Sequence, residues 1–190
     1  TKVDVKKMFG KTPAERKKEF AEYSTIRTQS PVGFLAPDFE LETTTGETVR
    51  LSDKRGQIAV FMFVAMTCPP ARTQVDLWKG LHEKYDAKDV QIFFIYSRER
   101  HAGERGYREL KETTSTSERM AHARMLSEIT AVPVAVDPID ERTLKDYGMV
   151  PNAAFIIDRQ GFVIFKSQWA DIRKIDQVLQ QLLVSEELNK

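Results

Sequence analysis

The chain has 190 residues, of which 41% are hydrophobic and 30% are charged, and its formal net charge is +1. A chain of this length can bury about 70% of its unfolded surface in one domain without disulfide bonds. Acidic and basic residues are interspersed, so the composition predicts no nucleic-acid partner, and no run approaches the roughly 18 apolar residues of a membrane span. These features indicate a globular domain.

The first 30 residues differ in composition from the rest. They are polar and rich in lysine, and we interpret residues 1–30 as a helical extension, with a helix beginning near Pro13, ahead of a main domain over residues 31–190. The one cysteine, Cys68, cannot form an internal disulfide, which favours a reducing compartment such as the cytoplasm. The chain begins at Thr1 rather than at methionine, so a removed signal peptide stays an alternative.

Two long apolar runs predict the centre of a sheet. Residues 39–51 have the pattern of a β-hairpin, and residues 57–64 and 90–96 are apolar runs that flank a helical pattern over residues 75–85. Strands that are apolar along their whole length and separated by a helix are typical of a parallel pair with a crossover connection. The sequence therefore predicts an α/β fold.

The second half of the chain continues the alternation of strands and helices. The predicted elements are a helix over 118–129, a strand over 132–136, a short helix over 143–147, a hairpin over 153–166 and a closing amphipathic helix that carries residues 172–182. Ligands of α/β sheets bind at the carboxyl ends of the strands. Cys68 and the loop after Tyr96 both follow such ends, so we expect these two segments to meet.

Cys68 stands between a predicted buried strand and a helix that opens with Pro69 and Pro70. Proline is tolerated in the first helical turn, which puts the cysteine at the N-cap. A helix N-terminus lowers a cysteine pKa from about 8.5, so that more of the thiol is the nucleophilic thiolate. The amides of Ala71 and Arg72 are the donors predicted to reach the sulfur. The alternative is that Cys68 is a small buried hydrophobe.

The order of elements resembles a thioredoxin fold of the redoxin type over residues 31–186, with a β-hairpin and the N-terminal extension added. The strings at residues 36–39 and 155–161 are typical of that superfamily. Ala71 stands where thioredoxins have their second cysteine, and Arg72 where the copper chaperones of this fold have theirs. Phe61 and Ala65 replace the proline and threonine of the peroxiredoxin motif.

The string Thr67-Cys68-Pro69-Pro70 resembles the active site of the iodothyronine deiodinase family, which reads threonine, selenocysteine, proline, proline. The segment from Tyr96 through Glu99 and His101 to Gly106-Tyr107 is similar to that family's Tyr-x-x-Glu-x-His segment with a nearby Gly-Trp. The resemblance implies a thiol-dependent oxidoreductase that removes iodine reductively from an iodinated phenol, with an external thiol as reductant, no bound cofactor and no metal. It also implies a possible homodimer.

The resemblance assigns roles to particular residues. It implies that Cys68 attacks the substrate and that Glu99 and His101 serve in substrate binding and proton delivery. The loop arginines Arg98, Arg100, Arg105 and Arg108 are candidates to bind an anionic substrate, and thioredoxins keep a cis proline beside the thiol, for which Pro151 is the candidate. The predicted substrate-binding residues are Thr67, Pro69, Pro70, Arg100 and Pro151.

The sequence also departs from the deiodinase pattern. Asn152-Ala153 replaces the Glu-Arg pair that clamps the hormone in vertebrate members, a residue near Thr113 replaces a second histidine, and residues 166–169 replace a glycine-rich segment. We expect His82 to be half-packed and His122 to be solvated. Two alternatives remain open, namely a one-cysteine thiol peroxidase that acts on peroxides and a redox-inert binding module of the same fold.

Overall fold

The computed structural model describes residues 30–104, 106–148 and 152–188, without the side chain of Pro70. The predicted N-terminal helix near Pro13 lies outside the described residues. The described strands are β1 (Glu40–Thr43), β2 (Thr48–Arg50), β3 (Ile58–Val64), β4 (Val90–Tyr96), β5 (Val134–Val136), β6 (Ala154–Ile157) and β7 (Val163–Ser167). The described helices are α1 (Pro69–Thr73), α2 (Val75–Tyr85), α3 (Thr116–Ser127), α4 (Arg142–Asp146) and α5 (Ile172–Leu188).

The strands form one mixed sheet in the order β2-β1-β5-β4-β3-β6-β7. The predicted parallel pair is confirmed, with Ile58 opposite Val90 and Val64 opposite Tyr96. Strand β5 also runs parallel to β4, whereas β1, β6 and their outer neighbours pair antiparallel. The carboxyl ends of β3, β4 and β5 therefore lie side by side at one edge of the sheet.

Both faces of the sheet are covered, which explains why β3 is apolar throughout and β4 is apolar except at Gln91. Val60 and Met62 point to the face on which α2, α3 and α5 pack, where Trp78 and Ile175 are fully buried. Ala59, Phe61 and Phe63 point to the opposite face, which is covered by the hairpin β1–β2 and by α4. An aromatic cluster of Phe39, Phe61, Phe63, Phe93, Tyr147 and Phe155 fills this second layer.

The structure differs from the sequence prediction next to Cys68. We predicted one helix from the double proline through Tyr85, but α1 ends at Thr73 and Gln74 leaves the helical region with φ −110° and ψ 4° before α2 begins. Other bounds shift by only a few residues. Among the described helices, none is both long and apolar enough to cross a membrane.

Candidate active site

Cys68 lies where the sequence predicts it, at the N-cap of α1 directly after the turn that ends β3. Its backbone is extended, with φ −85° and ψ 110°, and its amide donates to the carbonyl of Ala65 at 3.1 Å. We predicted that the backbone amide of Arg72 donates to the sulfur. The structure contradicts this, because the amide donates to the Cys68 carbonyl oxygen at 3.3 Å. A helix of five residues also aligns fewer peptide dipoles than the continuous helix that we predicted.

The sulfur of Cys68 is buried, and the residue is only 4% exposed. Attack on a substrate, which the resemblance implies for Cys68, requires an accessible thiol, so this burial is a correction to the sequence analysis. The side-chain amide of Asn152 covers the sulfur, with Nδ2 at 2.9 Å from Sγ. A substrate therefore reaches Sγ only after a local rearrangement of the residues around it.

Glu99 joins the two segments that were expected to meet. One carboxylate oxygen accepts the Thr67 amide at 2.9 Å and the Thr67 hydroxyl at 2.6 Å, and the other accepts the Tyr96 hydroxyl. The Tyr96 hydroxyl in turn accepts the amide of Met66 at 3.0 Å. Glu99 is 3% exposed, so these are hydrogen bonds to a buried carboxyl group that is attached to Thr67, the residue before Cys68.

Tyr96 stays protonated in this environment. Burial raises the pKa of its phenol far above the ordinary value of 10, and the charge and hydrogen bond of Glu99 raise it further. The phenol is therefore a fixed donor to Glu99 at neutral pH. Thr67 is also buried, and its hydroxyl is engaged by Glu99, where we expected it to face a substrate.

Two histidines lie near Glu99, and the position of one of them, His122, differs from the prediction. His122 on α3 has its Nδ1 at 3.5 Å from Glu99 Oε1, an ion-pair distance, and its side chain is only 17% exposed. The expectation that His122 is solvated is therefore wrong. Its spacing from Arg119, Ala123 and Leu126, which form the buried side of α3, is the signal that could have found it.

His101 lies on the loop after β4, as predicted. Its backbone amide donates to the Thr67 hydroxyl at 3.3 Å, and its Nδ1 lies 3.4 Å from Glu104 Oε2. This loop returns to α1, since the guanidinium of Arg72 stacks on the ring of Tyr107 at 4.3 Å. The loop thus holds Thr67 and α1 from two sides.

The remaining predicted residues have different surroundings. Pro69 is half-buried in the first turn of α1, Arg100 is buried, and Pro151 lies outside the described residues. Of the other loop arginines, Arg98 pairs with Glu141 at 3.3 Å, Arg108 is exposed and Arg105 is outside the described part. His82 is half-buried, as expected. No cluster of His, Cys, Asp or Glu that could hold a metal occurs among the described residues.

Asn152, which sequence reasoning noted only as a departure from a family pattern, contacts the sulfur directly. It is separated from Cys68 by 84 positions, so no local pattern connects the two residues. Antiparallel pairing of β3 with β6 brings them together, because the Asn152 amide donates to the carbonyl of Phe63 at 3.0 Å.

A second buried carboxylate lies at the same edge of the sheet, after β5. Asp137 accepts the amides of Thr143 and Leu144, each at 3.1 Å, at the start of α4. Arg119 donates to the Asp137 carbonyl at 3.0 Å and lies 3.6 Å from Glu141 Oε1. Burial raises the pKa of Asp137, although its hydrogen bonds oppose the shift. Burial likewise lowers the pKa of Arg119, against the carboxylates that favour its charged form.

The sheet order, the crossover between β3 and β4 and the cysteine at the end of β3 define a thioredoxin-like protein of the redoxin type. The chain belongs to the AhpC/TSA family, which it matches over residues 32–167. This confirms the predicted α/β fold.

Relatives within this superfamily have names that refer to thiol chemistry. The chain is 27% identical over 145 residues to the thiol-disulfide oxidoreductase ResA of Geobacillus thermodenitrificans, covering 76% of this chain and 73% of ResA. It is 24% identical over 164 residues to the peroxiredoxin Bcp of Bacillus subtilis, covering 84% and 97% of the two chains. A crystal structure of a thiol:disulfide interchange protein described as a putative DsbE from Chlorobium tepidum matches with a TM-score of 0.61 and 27% identity, covering 81% and 96%.

Proposed function

We propose that the protein is a thiol-dependent oxidoreductase that uses Cys68 as its one nucleophile and an external thiol as its reductant. Membership of the AhpC/TSA family and the similarity to ResA and Bcp support this class of activity. The chain has a single cysteine, so the thiol that completes a redox cycle comes from another molecule.

We propose further that the substrate is a halogenated phenol and that the reaction is reductive dehalogenation. The observation that carries this proposal is the group formed by Glu99, the hydroxyls of Thr67 and Tyr96 that donate to it, and the imidazole of His122 at 3.5 Å from it. This group is attached to Thr67, the residue before Cys68. Reductive loss of a halogen needs a proton at the carbon that the halogen leaves. A buried carboxyl group linked to hydroxyls and an imidazole can relay one. The Thr67–Pro70 string and the Tyr96–His101 segment support the same reaction through their resemblance to deiodinases.

The Cys68 thiolate attacks the iodine, an S–I bond forms, the C–I bond breaks, and the carbon keeps the electron pair and takes a proton from the Glu99 group. An external thiolate then attacks the sulfur, releases iodide and forms a mixed disulfide. A second external thiol restores the Cys68 thiol and leaves as the disulfide, so two electrons from two thiols reduce one carbon–halogen bond.

The experiment is iodide release from 3-iodotyrosine and from 4-iodophenol in the presence of dithiothreitol. Wild-type protein is expected to release iodide at a rate that rises with dithiothreitol, and Cys68→Ser is expected to lose this activity to the background level. Leu77→Ala, a change at an exposed residue of α2, is a control that is expected to retain it. Iodide release that is equal in wild type and Cys68→Ser contradicts the proposal.

A second candidate is a one-cysteine thiol peroxidase, which the similarity to the peroxiredoxin Bcp favours. In that reaction the thiolate takes the terminal oxygen of a hydroperoxide and becomes a sulfenic acid, which external thiols reduce. Consumption of hydrogen peroxide and of cumene hydroperoxide with dithiothreitol measures it. Peroxide turnover without iodide release replaces the first proposal by the second. If the folded protein shows neither activity, both proposals are contradicted.

A further inference from the structure

Asn152 is held in a fixed position beside Cys68 by its backbone. Its φ is +61°, in the left-handed region that asparagine tolerates better than most residues. Its amide donates to the Phe63 carbonyl at 3.0 Å, and its carbonyl accepts the amide of Ala170 at 2.9 Å. The residue is 2% exposed. Strand β3 and the segment before α5 therefore determine where its side chain lies.

The carboxamide of Asn152 makes a hydrogen bond through its nitrogen only. Its Nδ2 lies 2.9 Å from the Cys68 sulfur, whereas its Oδ1 is buried and has no hydrogen-bond partner in the described part of the chain. A buried acceptor without a partner costs free energy, so such groups are uncommon and require an explanation. Because Oδ1 and Nδ2 share one carbon, a hydroxyl attached to the sulfur would come within reach of Oδ1.

We propose that Asn152 positions Cys68 in two chemical states, with Nδ2 donating to the thiolate and Oδ1 accepting the hydroxyl hydrogen of a Cys68 sulfenic acid. This rests on the proposed oxidoreductase function and deepens its peroxide branch, with small hydroperoxides as the substrate class. The thiolate attacks the terminal peroxide oxygen, an S–O bond forms and the O–O bond breaks. The leaving oxygen takes a proton, and the sulfur is oxidised by two electrons.

The acceptor distinguishes the oxidised forms of Cys68 in the two branches of the proposed function. A sulfenyl iodide carries no hydrogen and cannot donate a hydrogen bond to Oδ1. A hydroxyl near the iodine, as in 3-iodotyrosine, belongs to the substrate and leaves with the product. A sulfenic acid carries its hydroxyl one bond from Sγ, which is the placement that the unpartnered oxygen requires.

Other charged or titratable groups lie on the elements around Cys68, and the test keeps them constant. They lie on the loop after β4, on β4 itself, on α3 and on α1, and they are Glu99, His101, Arg100, Tyr96, His122 and Arg72. Substitutions at Asn152 leave all of these residues in place. A change in the ionisation of Cys68 in Asn152→Gly is therefore due to the loss of the carboxamide, whereas Asn152→Asp adds the effect of a negative charge.

Two substitutions divide the two roles of Asn152. Asn152→Asp keeps an acceptor oxygen and removes the donor, whereas Asn152→Gly removes both and suits the left-handed backbone. The matched control is Asp89→Gly, because Asp89 is exposed, has φ +55° and precedes β4 at the opposite edge of the sheet. Circular dichroism and thermal unfolding establish that each variant is folded.

The first measurement is the rate of Cys68 alkylation by iodoacetamide against pH, which needs no substrate. We expect the pH midpoint to rise by about 0.5–1 unit in Asn152→Gly and by more than about 1 unit in Asn152→Asp, where a second negative charge adjoins the sulfur. Asp89→Gly is expected to match wild type. An unchanged midpoint in Asn152→Gly, or a wild-type thiol that does not alkylate in the folded protein, overturns the donor role.

The second measurement is the lifetime of the sulfenic acid after one equivalent of hydrogen peroxide, followed by trapping with dimedone and intact mass. The lifetimes of the sulfenic acid in wild type and in Asn152→Asp are expected to agree within about twofold. In Asn152→Gly the sulfenic acid is expected to disappear at least about fivefold faster, because one hydrogen bond is lost. Equal lifetimes in wild type and Asn152→Gly, or no sulfenic acid in wild type, overturn the acceptor role. A different result would contradict the proposed oxidoreductase function, namely turnover that does not depend on Cys68.

Discussion

Glu99 and Asp137 are two buried carboxylates at the same edge of one sheet, yet their partners differ in chemistry. Each follows a parallel strand, β4 or β5, and each accepts two or more hydrogen bonds. Asp137 accepts backbone amides at the start of α4. Glu99 accepts two hydroxyls and one amide and lies 3.5 Å from the imidazole of His122.

This difference separates a structural carboxylate from one that can take part in chemistry. Backbone amides do not release their protons near neutral pH, so the hydrogen bonds of Asp137 fix the start of α4 and little else. An imidazole exchanges protons near neutral pH, and hydroxyls can pass them on. Glu99 is also attached to Thr67, the residue before Cys68. We therefore propose proton delivery for Glu99 and chain anchoring for Asp137.

The largest expected effect is on turnover in Glu99→Gln. The substitution keeps the size of the side chain and removes its ability to carry a proton, so we expect thiol-dependent turnover to fall by about 100-fold, within the range of general acid–base catalysis. The measurement is iodide release, or peroxide consumption if that is the reaction, per folded molecule. Turnover within about twofold of wild type would remove Glu99 from the reaction.

The matched change at the other carboxylate is Asp137→Asn. One of its two amide partners then faces an NH₂ group instead of an oxygen, so we expect a loss of about 1–3 kcal/mol in the free energy of unfolding. Turnover per folded molecule is expected to stay near that of wild type. Urea unfolding measures the first quantity. A variant of wild-type stability that is inactive would reverse the roles assigned to the two carboxylates.

His122→Gln tests the imidazole beside Glu99, because it removes the ring and keeps a polar side chain. We expect turnover to fall by about tenfold and the pH–rate profile to change shape, since the variant lacks an acid–base group. His82→Gln, on α2, is the control and is expected to leave the profile unchanged. A His122→Gln profile that superimposes on that of wild type would exclude His122 from proton transfer.

The smallest expected effect concerns Asp176, a third carboxylate, which joins α5 to α2 away from the strand ends. Burial acts to raise its pKa, but hydrogen bonds from Lys84, Tyr85 and Gln180 outweigh burial and hold the pKa below its ordinary value. A depressed pKa contributes stability that is present above the unfolded value of about 3.8 and is lost as pH falls through the folded value.

Asp176→Asn is therefore expected to reduce stability at pH 7 by about 0.2–1 kcal/mol, as for other surface pairs, and to reduce it less below pH 4. Urea unfolding of wild type and variant at pH 7 and at pH 3 measures this difference. An equal loss at both values would show that the charge of Asp176 does not contribute.

Sequence patterns were sufficient for the fold and for part of the site. The apolar runs of β3 and β4 and the helical spacing of α2 and α5 predicted the central layers because a core that is buried on both faces constrains every residue of those elements. The double proline after Cys68 predicted the N-cap. The interruption at Gln74 was missed, since that position is neither glycine nor proline and carries no strong breaking signal.

The missed contacts of the site are those made across the fold. Asn152 reaches Cys68 only because β6 pairs with β3, and His122 reaches Glu99 only because one side of α3 packs on the sheet. Neither depends on residues that are neighbours in the sequence. The burial of Cys68 was missed for the same reason, since the group that covers its sulfur comes from a distant segment.

The proposed oxidoreductase function requires Cys68 to be a reactive nucleophile although it is buried. The most direct test is the pH dependence of its alkylation by iodoacetamide in the folded protein and in urea. We predict that the folded protein reacts with a midpoint below about pH 7.5 and that the same thiol in urea has a midpoint near about 8.5. Protection from the reagent across the whole pH range, or a folded midpoint at or above that in urea, would contradict the account.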